Sequence, residues 1–543
     1  MARSGWRVSE CGRWLWLPLL AALIHATGCS QQIHLNLKAD VEHPPKSAII
    51  FLVDGLDLTR LEAMVQAGQL PNIQKRFVAG GTQVCNTVTG MPSVTYANCP
   101  SVITGVFPGH HGITGDFWFD RSTLTTHYYM TIQTYLSVNE DLCVPTIYDL
   151  LGDRFTLNIQ NHTRHGVSAT VDNRLAFGYY YLLGEYVAAD HYAGTQFRQA
   201  GRIANRVKQW PTVTMNYYPG TDDTAHKYGA DSVEYGRALL DVDGTIGRIT
   251  DAVDRAGLGD STYYVLTADH SHVPIGPCKD FDMARWVREA RHLRVRKAVL
   301  KNADYVDRLK ALERYDVLGG ADEDRVAGFY LPGARGWAYR PEPQEVESWV
   351  LVEPSLIEVP AVQFVLIRGE ADRARVLSRD GTALVERRMA GSKKEYRLIV
   401  GQGDPLHYRD DPSLAGFADA GWHGSREWLI ASGDSLYPDF VPQVVEMFDS
   451  PHMADVVVMA ADDWSFNPKQ RGGHGSWTRR DTLIPLFFAG PDVPKGGKIG
   501  SGRLVDVVPT LLGLLGEEHR LEGVHLDGIN MAHQIRTASP GSV

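Results

Sequence analysis

Six carboxylate and imidazole side chains in this chain have the types and spacing that metal binding requires. They are Asp54, Asp222, His226, Asp269, His270 and His474. Zinc takes such ligands in tetrahedral sites that leave one position open, and two zinc ions about 4 Å apart can hold the attacking and leaving oxygens of a phosphoryl transfer. A single Asp or His more often caps a helix or lies in the core, so the inference depends on the whole set.

Short apolar runs, typical of buried strands, precede the three carboxylates. They span residues 48–53, 212–217 and 262–267, and similar runs occupy residues 455–460 and 484–489. Between the second and third runs, residues 233–256 place apolar side chains at helical spacing and end at Gly257. This alternation predicts an α/β fold in which a mostly parallel sheet is sandwiched by helices. Ligands of such sheets gather at the carboxyl ends of the strands, where the three carboxylates stand.

The stretch from residue 281 to residue 442 has a different pattern and is predicted to be an α+β insertion that forms a cap. Short strands are predicted at 348–352, 362–368 and 375–387, the last folded around Asp380-Gly381. The run at 455–460 is predicted to return to the main sheet. A catalytic core in two parts is therefore expected at 47–280 and 443–535, with a linker at 30–46 and a tail at 536–543.

Residues 1–29 have the features of an export signal. Three arginines precede an apolar stretch over residues 14–24, which has the length of a signal-peptide core rather than of a membrane span. The sequence Ala-Thr-Gly-Cys at 26–29 is similar to a bacterial lipoprotein cleavage site and predicts a lipid on Cys29. Because Ala26 stands where such sites usually carry Leu, cleavage without lipidation is the alternative. Either route predicts export to a bacterial periplasm or cell envelope.

Composition and charge narrow the class of protein. The chain has 543 residues, of which 44% are hydrophobic and 22% charged, and its net charge is -10. These values are typical of a globular protein, and no apolar run after residue 30 is long enough to span a membrane. The acidic balance argues against a stable nucleic-acid partner. Four cysteines beyond residue 29 are compatible with disulfides or with buried thiols: Cys85, Cys99, Cys143 and Cys278.

Five short motifs occur in a defined order along the chain. They are Phe-Leu-Val-Asp-Gly at 51–55; Pro-Ser-Val-Thr-Tyr-Ala-Asn at 92–98, followed by Thr104-Gly105 and by Pro-Gly-His-His-Gly-Ile at 108–113; Asp-Asp-Thr-Ala-His-Lys-Tyr-Gly at 222–229; Thr-Ala-Asp-His at 267–270; and Gly-His-Gly at 473–475. In this order the motifs resemble the alkaline phosphatase superfamily, nearest its type I phosphodiesterase and nucleotide pyrophosphatase branch. The resemblance covers residues 46–275 and 452–516.

That resemblance implies how the six donors are divided between two metal ions. One ion is held by Asp222, His226 and His474, and the other by Asp54, Asp269 and His270, with Thr95 as a further ligand and as the nucleophile. The implied cofactors are two zinc ions, with manganese or iron as alternatives that bind the same donors. Hydrolysis would pass through a phosphothreonine intermediate. The amide of Asn98 would contact a non-bridging phosphate oxygen, the alternative being that Asn98 caps a helix.

The resemblance also implies a phosphoric ester hydrolase that acts on a small-molecule substrate. The sequence Thr-Tyr-Ala-Asn at 95–98 favours cleavage of diester or pyrophosphate bonds. The alternative is a phosphomonoesterase, which requires an extra positive charge, and Arg164 is a candidate for it. A diesterase needs an aromatic or apolar slot, for which Tyr96 and residues 117–119 are candidates, although the same residues suit a core. A lipoprotein that binds phosphorylated glycans or nucleotides without turnover is the alternative from another class.

Overall fold

The computed structural model describes residues 32–541, except for 132, 173–178, 181–182, 298–303 and 420. The predicted signal sequence and Cys29 lie outside the described residues. Two nine-stranded sheets account for most of the strands. Within the described ranges, no helix combines the length and the apolar character that crossing a membrane needs.

The first sheet, called the main sheet below, is the predicted mostly parallel sheet. Its strands, in spatial order, are Ser539–Pro540, Gly497–Ile499, Gly81–Val84, Leu486–Ala489, Thr262–Thr267, Ser47–Val53, Val213–Tyr218, Thr156–Ile159 and Ala169–Val171. The last five run parallel to one another, whereas Leu486–Ala489 is antiparallel to both of its neighbours. The strands predicted at 48–53, 212–217, 262–267 and 484–489 are therefore confirmed, with shifts of one or two residues at their ends.

Helices pack against the main sheet and complete its core. Helices of eight or more residues in the described part are Leu58–Gln66, Thr95–Thr104, Tyr186–Gln196, Arg198–Val207, Gly220–Tyr228, Val233–Arg255, Met283–Ala290, Tyr305–Leu312, Pro343–Leu351, Ser425–Ser432, Phe440–Met447 and Val507–Leu515. The predicted helix at 233–256 is confirmed, because the Ser232 side chain caps its start and its apolar face is buried. Leu239 and Ile246 from this helix share one core with Ile50 and Val265 of the strands.

The second sheet is formed by the region between residues 295 and 460. Its strands, in spatial order, are Val295–Arg296, Val317–Glu323, Val326–Tyr330, Val456–Ala460, Val362–Arg368, Arg373–Ser378, Gly381–Ala390, Lys393–Gly403 and His423–Gly424. Apart from the parallel first pair, neighbouring strands are antiparallel. The predicted strand at 362–368 and the hairpin around Asp380-Gly381 are confirmed.

Side chains of the second sheet pack directly against the segment that precedes and begins helix Thr95–Thr104. Leu318, Val326 and Phe364 from the sheet lie in one buried cluster with Val94 and Tyr96. All five side chains are almost completely removed from solvent. The second sheet therefore supports the segment that carries Thr95, although it is far from that segment in sequence.

Two predictions about this region are wrong. Residues 348–352 are not a strand, because helix Pro343–Leu351 begins with Pro343 and buries Val346 and Val350 one helical turn apart. Strand Val456–Ala460 does not return to the main sheet but pairs with Val326–Tyr330 and Val362–Arg368 of the second sheet. An apolar run buried on both faces carries no signal for which of two sheets it joins. The four cysteines within the described ranges are free thiols.

Candidate metal centre

The three predicted carboxylates lie at one edge of the main sheet. Asp54 directly follows strand Ser47–Val53, and Asp269 comes two residues after strand Thr262–Thr267. Asp222 lies in the first turn of helix Gly220–Tyr228, which follows strand Val213–Tyr218. These three strands are adjacent and parallel, so their carboxyl ends point the same way. The sheet therefore brings together side chains that are more than 200 residues apart in sequence.

A short antiparallel ribbon brings His474 to the same edge. Val273–Pro274, just beyond Asp269 and His270, pairs with Gly472–Gly473, just before His474. As a result the rings of His270 and His474 stack, with their centroids 3.6 Å apart and their planes 11° from parallel. Two charged imidazolium rings would repel at this distance, and burial, followed by His270, holds the pKa of His474 well below its usual value, so the stack contains at most one charged ring.

The three histidines of the predicted set are all oriented in the way that metal-ligating histidines are. Each ring places Nδ1 near an oxygen acceptor: Asp324 Oδ2 at 2.6 Å for His226, the Ser271 carbonyl at 3.1 Å for His270, and the Ser93 carbonyl at 2.9 Å for His474. An imidazole that donates from Nδ1 presents the lone pair of Nε2 to a metal. The Nε2 atoms all point inward, toward the carboxylates. This arrangement fits zinc or a similar divalent cation.

The inward-pointing atoms form two overlapping groups. In the first, Asp222 Oδ1 lies 3.3 Å from His226 Nε2 and 3.6 Å from His474 Nε2. In the second, His270 Nε2 lies 3.2 Å from Asp54 Oδ1 and 3.6 Å from Asp269 Oδ2. The two groups adjoin, because His270 Nε2 is also 3.9 Å from Asp222 Oδ1. Asp54, Asp269 and His270 offer donor atoms that lie close enough together to hold one ion, as the resemblance implied. For a second ion, the donors that lie close enough together are those of Asp222, His270, His272 and His474, or those of His226, Glu323 and His474. The predicted set of Asp222, His226 and His474 is brought to one place but is divided between these two groups.

Thr95 lies beside the second group and is accessible. It is the first residue of helix Thr95–Thr104, and its Oγ1 is 3.0 Å from His270 Nε2. Between Thr87 and Gly109 every residue except Thr95 is buried. A partly exposed hydroxyl in an otherwise buried stretch, at the start of a helix, is placed where a substrate can reach it. The helix dipole there favours negative charge.

Buried carboxylates dominate the electrostatics of the centre, and the positive groups that act on them are imidazole rings. Burial raises the pKa of Asp54, and the neighbouring Asp222 raises it further. Burial, and then Asp54, also hold the pKa of Asp269 well above its usual value. Burial by itself lowers the pKa of His270, but Asp269 and Asp54 outweigh it and raise that pKa to about 10. Divalent cations at this position would relieve the repulsion among the carboxylates.

Asn98 does not take the place predicted for it. Its side chain is fully buried, and the amide nitrogen donates to the carbonyls of Gly90, Pro92 and Val94 at 2.8 to 3.1 Å. Its side-chain oxygen accepts from the backbone N–H of Gly90 at 2.8 Å. Because the amide is fully engaged in bracing the preceding loop, it cannot also contact a phosphate oxygen. These bonds do not support the predicted phosphate contact of Asn98, and the capping alternative does not describe them either, because the N-cap residue of the helix is Val94 and no side-chain hydrogen bond caps it.

Several residues that sequence reasoning left out also lie at the centre. His272 Nε2 is 2.6 Å from Asp222 Oδ1, and the hydroxyl of Tyr217 donates to Asp54 Oδ2. Glu323 Oε2 is 3.9 Å from His474 Nε2, and Asp324 contacts His226 as described above. His272 lies within the Asp-His-Ser-His sequence and was visible as a candidate. Glu323 and Asp324 carry no sequence signal, because they come from the tip of a hairpin in the second sheet.

The residues predicted as candidates for substrate recognition form contacts within the protein instead. Arg164 Nη1 donates to Asp172 Oδ2 at 2.9 Å, and the Arg164 side chain is only 15% exposed. Tyr96 and residues 117–119 are buried in the cluster that joins the second sheet to the Thr95 segment. Asp223, next to Asp222 in the sequence, pairs with Lys227 at 2.6 Å.

Comparison with known proteins agrees with this geometry. The sequence model of a family described as type I phosphodiesterase/nucleotide pyrophosphatase matches residues 48–347, more than half of the chain. An uncharacterized pyrophosphatase/phosphodiesterase of Schizosaccharomyces pombe is 24% identical over 197 residues, which cover 34% of this chain and 38% of that protein. The matched part of that relative is therefore well under half of its length.

Proposed function

This chain belongs to the type I phosphodiesterase/nucleotide pyrophosphatase family, and on that premise we propose that it is a phosphoric ester hydrolase that cleaves phosphodiester or pyrophosphate bonds in small molecules. We assign the reaction to a pair of zinc ions held by the two groups described above, with Thr95 as the nucleophile. The observation that carries the proposal is the position of Thr95 Oγ1, 3.0 Å from the ligand nitrogen of His270 and exposed within a buried stretch.

The reaction proceeds in two displacements at phosphorus. A zinc ion held by Asp54, Asp269 and His270 would lower the pKa of a hydroxyl beside it and would offset negative charge on a departing oxygen. Thr95 gives up its hydroxyl proton to solvent, and its oxygen attacks phosphorus as the bond to the leaving oxygen breaks. A water molecule then attacks from the vacated side and releases Thr95. The net reaction consumes one water, and two in-line steps retain the configuration at phosphorus.

Charges around Thr95 favour a substrate with one negative charge at the reacting phosphate. Asp116 Oδ1 accepts from the backbone N–H of Tyr96 at 3.2 Å, and Asp116 and Glu323 form a hydrogen-bonded carboxyl pair. A phosphomonoester dianion would meet these carboxyl groups, and Arg164, the candidate for a compensating positive charge, is paired with Asp172. A diester carries one charge fewer and is repelled less. These contacts support diester over monoester hydrolysis.

The second sheet, in our proposal, borders the centre as the predicted cap. Glu323 and Asp324 lie in a hairpin of that sheet and contact the ligand histidines His474 and His226. A border formed by a separate sheet limits solvent access on one side of the metal pair. The residues beyond the described N-terminus are proposed to direct export to the periplasm or cell envelope. Mass spectrometry of the mature N-terminus tests this, and an intact Met1 in the purified protein from its natural host would contradict it.

Substitution of the nucleophile tests the mechanism. Thr95→Ala is expected to lower kcat/KM at least about 10³-fold, because the covalent step is lost. Metal content measured by mass spectrometry should stay at two ions per chain, since Asp54, Asp269 and His270 remain. Thr537→Ala, at an exposed threonine, is the matched control and should have wild-type activity. Substantial turnover by the Thr95→Ala protein would show that the nucleophile is another group.

Paired substrates test the bond specificity. We expect a higher kcat/KM for bis-p-nitrophenyl phosphate than for p-nitrophenyl phosphate, because the two differ in charge at phosphorus but share a leaving group. A clear preference for the monoester would overturn the assignment as a diesterase. Metal binding without turnover of either compound would favour the binding-protein alternative.

A further inference from the structure

A hairpin of the second sheet reaches the metal centre with two buried side chains. The hairpin joins strands Val317–Glu323 and Val326–Tyr330, and its tip consists of Asp324 and Arg325, both 0% exposed. Arg325 forms a buried ion pair with Asp481 at 2.8 Å, and its backbone N–H donates to the His474 carbonyl at 2.9 Å. A Cβ atom on Gly473 would lie 2.7 Å from Asp324 Cβ, so glycine is required where the tip meets the His474 loop. The tip is therefore held firmly in place.

Each carboxylate oxygen of Asp324 has its own partner. Oδ2 lies 2.6 Å from His226 Nδ1, and Oδ1 accepts from the side-chain amide of Asn467 at 2.8 Å. A carboxylate only accepts hydrogen bonds, so His226 must carry its proton on Nδ1 to make this contact. The lone pair of Nε2 is then directed at Asp222, 3.3 Å away. Asn467 in turn fixes which oxygen of Asp324 faces the histidine.

We propose that Asp324 is a positioning residue, which holds His226 in the tautomer that binds metal, and that Asn467 holds Asp324 in the matching orientation. This inference rests on the proposed function, in that a metal must bind at His226. The inference goes beyond the proposed function because metal binding then depends on a hydrogen-bond relay that runs from Asn467 through Asp324 to His226. Asp324 and Asn467 lie outside the main sheet and its adjoining helix. Carboxylates that orient ligand histidines typically contribute 10- to 100-fold to metal affinity.

The substitution Asp324→Asn tests the relay. In this variant the amide of Asn467 still donates to the side-chain oxygen at position 324, so the new NH₂ group faces His226 Nδ1. Two donors then oppose each other, but the clash is also removed if the Asn467 amide turns over and accepts from the new NH₂ group. The decisive variant is therefore Asp324→Leu, whose side chain offers Nδ1 no acceptor, so His226 loses the bond that holds its proton on Nδ1. We expect one of the two zinc ions to bind about 10- to 100-fold more weakly, as measured by competition with a chromophoric chelator.

Exchanging the two side chains provides the matched control. In Asp324→Asn combined with Asn467→Asp, the carboxylate at 467 accepts from the amide nitrogen at 324, and the amide oxygen turns back toward His226. This double variant keeps the same composition and charge as the wild type and should recover most of the zinc affinity. A purely structural role for Asp324 gives no reason for that recovery. If the single variant does not fold, the double variant decides the matter by its zinc affinity alone.

The outcomes separate this inference from the proposed function. Wild-type zinc affinity in Asp324→Leu, or an exchanged variant that binds zinc no better than Asp324→Leu, would overturn the relay and leave the two-zinc centre intact. A wild-type protein that binds no zinc, manganese or iron would overturn both.

Discussion

Two clusters of histidine and carboxylate side chains in this protein have similar compositions and opposite electrostatics. One is the metal centre at the edge of the main sheet. The other, called the His110 cluster below, joins helix Pro108–His111 to the end of helix Phe440–Met447 and to the C-terminal region. It contains His110, Glu446, Asp449, Asp527, Arg387 and Lys394.

In the His110 cluster every charge has a partner of opposite sign. His110 Nδ1 is 2.6 Å from Asp527, and Nε2 is 3.0 Å from both Glu446 and Asp449. Burial lowers the pKa of His110, but the hydrogen-bonded carboxylates outweigh it and raise that pKa to about 11. Arg387 and Lys394 also bind Glu446, at 3.1 and 2.6 Å. With both ring nitrogens used by carboxylates, His110 has no lone pair to offer a metal.

The metal centre differs from the His110 cluster in how its histidine nitrogens are used and in how the charge of its carboxylates is balanced. Its histidines place Nδ1 against carbonyl or carboxylate oxygens and direct Nε2 at the carboxylates. Burial raises the pKa values of Asp54 and Asp269, whereas for Asp222 the effect of burial is outweighed by His226, which holds the pKa of that carboxyl well below its usual value. In the His110 cluster, the pKa of Glu446 is lowered to about 2: burial opposes the shift, but His110, Lys394 and Arg387 outweigh it. Identical residue types therefore form a cation site only where arginine and lysine do not already balance the charge.

Removing one carboxylate from each cluster should separate their roles most sharply. Asp222→Ala is expected to lower kcat/KM by at least about 10³-fold, because a metal contributes several kcal/mol to transition-state stabilisation. Asp527→Ala should leave kcat/KM within about threefold and lower the free energy of unfolding by about 2 kcal/mol, because it leaves the Nδ1–H group of His110 buried without its acceptor. Steady-state kinetics and urea unfolding of both variants measure this. Equal losses of activity would mean that both clusters serve catalysis.

Metal removal should affect only one of the clusters. With free zinc at about 1,000 times its Kd, bound metal adds about 4 kcal/mol per site to the free energy of unfolding, and a chelator removes that stabilisation. The Asp527→Ala protein should show the same zinc-dependent increase in Tm as the wild type, whereas Asp222→Ala should lose part of it. A reduced zinc effect in Asp527→Ala would indicate that the His110 cluster binds metal after all.

The smallest expected effect is a dependence of the free energy of unfolding on pH, which comes from the His110 cluster. The pKa of His110 in the folded protein, about 11, is above its ordinary value of 6.5, so its stabilising contribution is complete below about pH 6.5 and is lost as the pH rises toward 11. Wild type should therefore lose about 2 kcal/mol more unfolding free energy than His110→Gln between about pH 7 and about pH 9. Urea unfolding at both pH values, with zinc present, measures the difference. Parallel pH profiles would show that His110 is neutral in the folded state.

Sequence patterns located most strands of the main sheet but did not show which strands pair with one another in the second sheet. The runs before Asp54, Asp222 and Asp269 predicted the central strands, because a buried parallel strand requires a continuous apolar run. The run at 455–460 looked the same and joined the other sheet. Asn98 shows a second limit: its position one turn after Thr95 was clear, but spacing along a helix does not show whether an amide faces the substrate or the preceding loop.

The sequence by itself determined which carboxylate and imidazole groups are available as metal ligands and at which edge of the main sheet the carboxylates lie, because both follow from the strand pattern and the order of the motifs. Only the tertiary structure decided which nitrogen of each histidine points inward and which cluster is already neutralised by arginine and lysine. It also brought Asp324 to His226, 98 residues away. Hydrogen bonds and charge balance depend on groups within about 3 Å of one another. Such neighbours often come from segments that are far apart in the sequence, and contacts of this kind produce no periodic pattern along the chain.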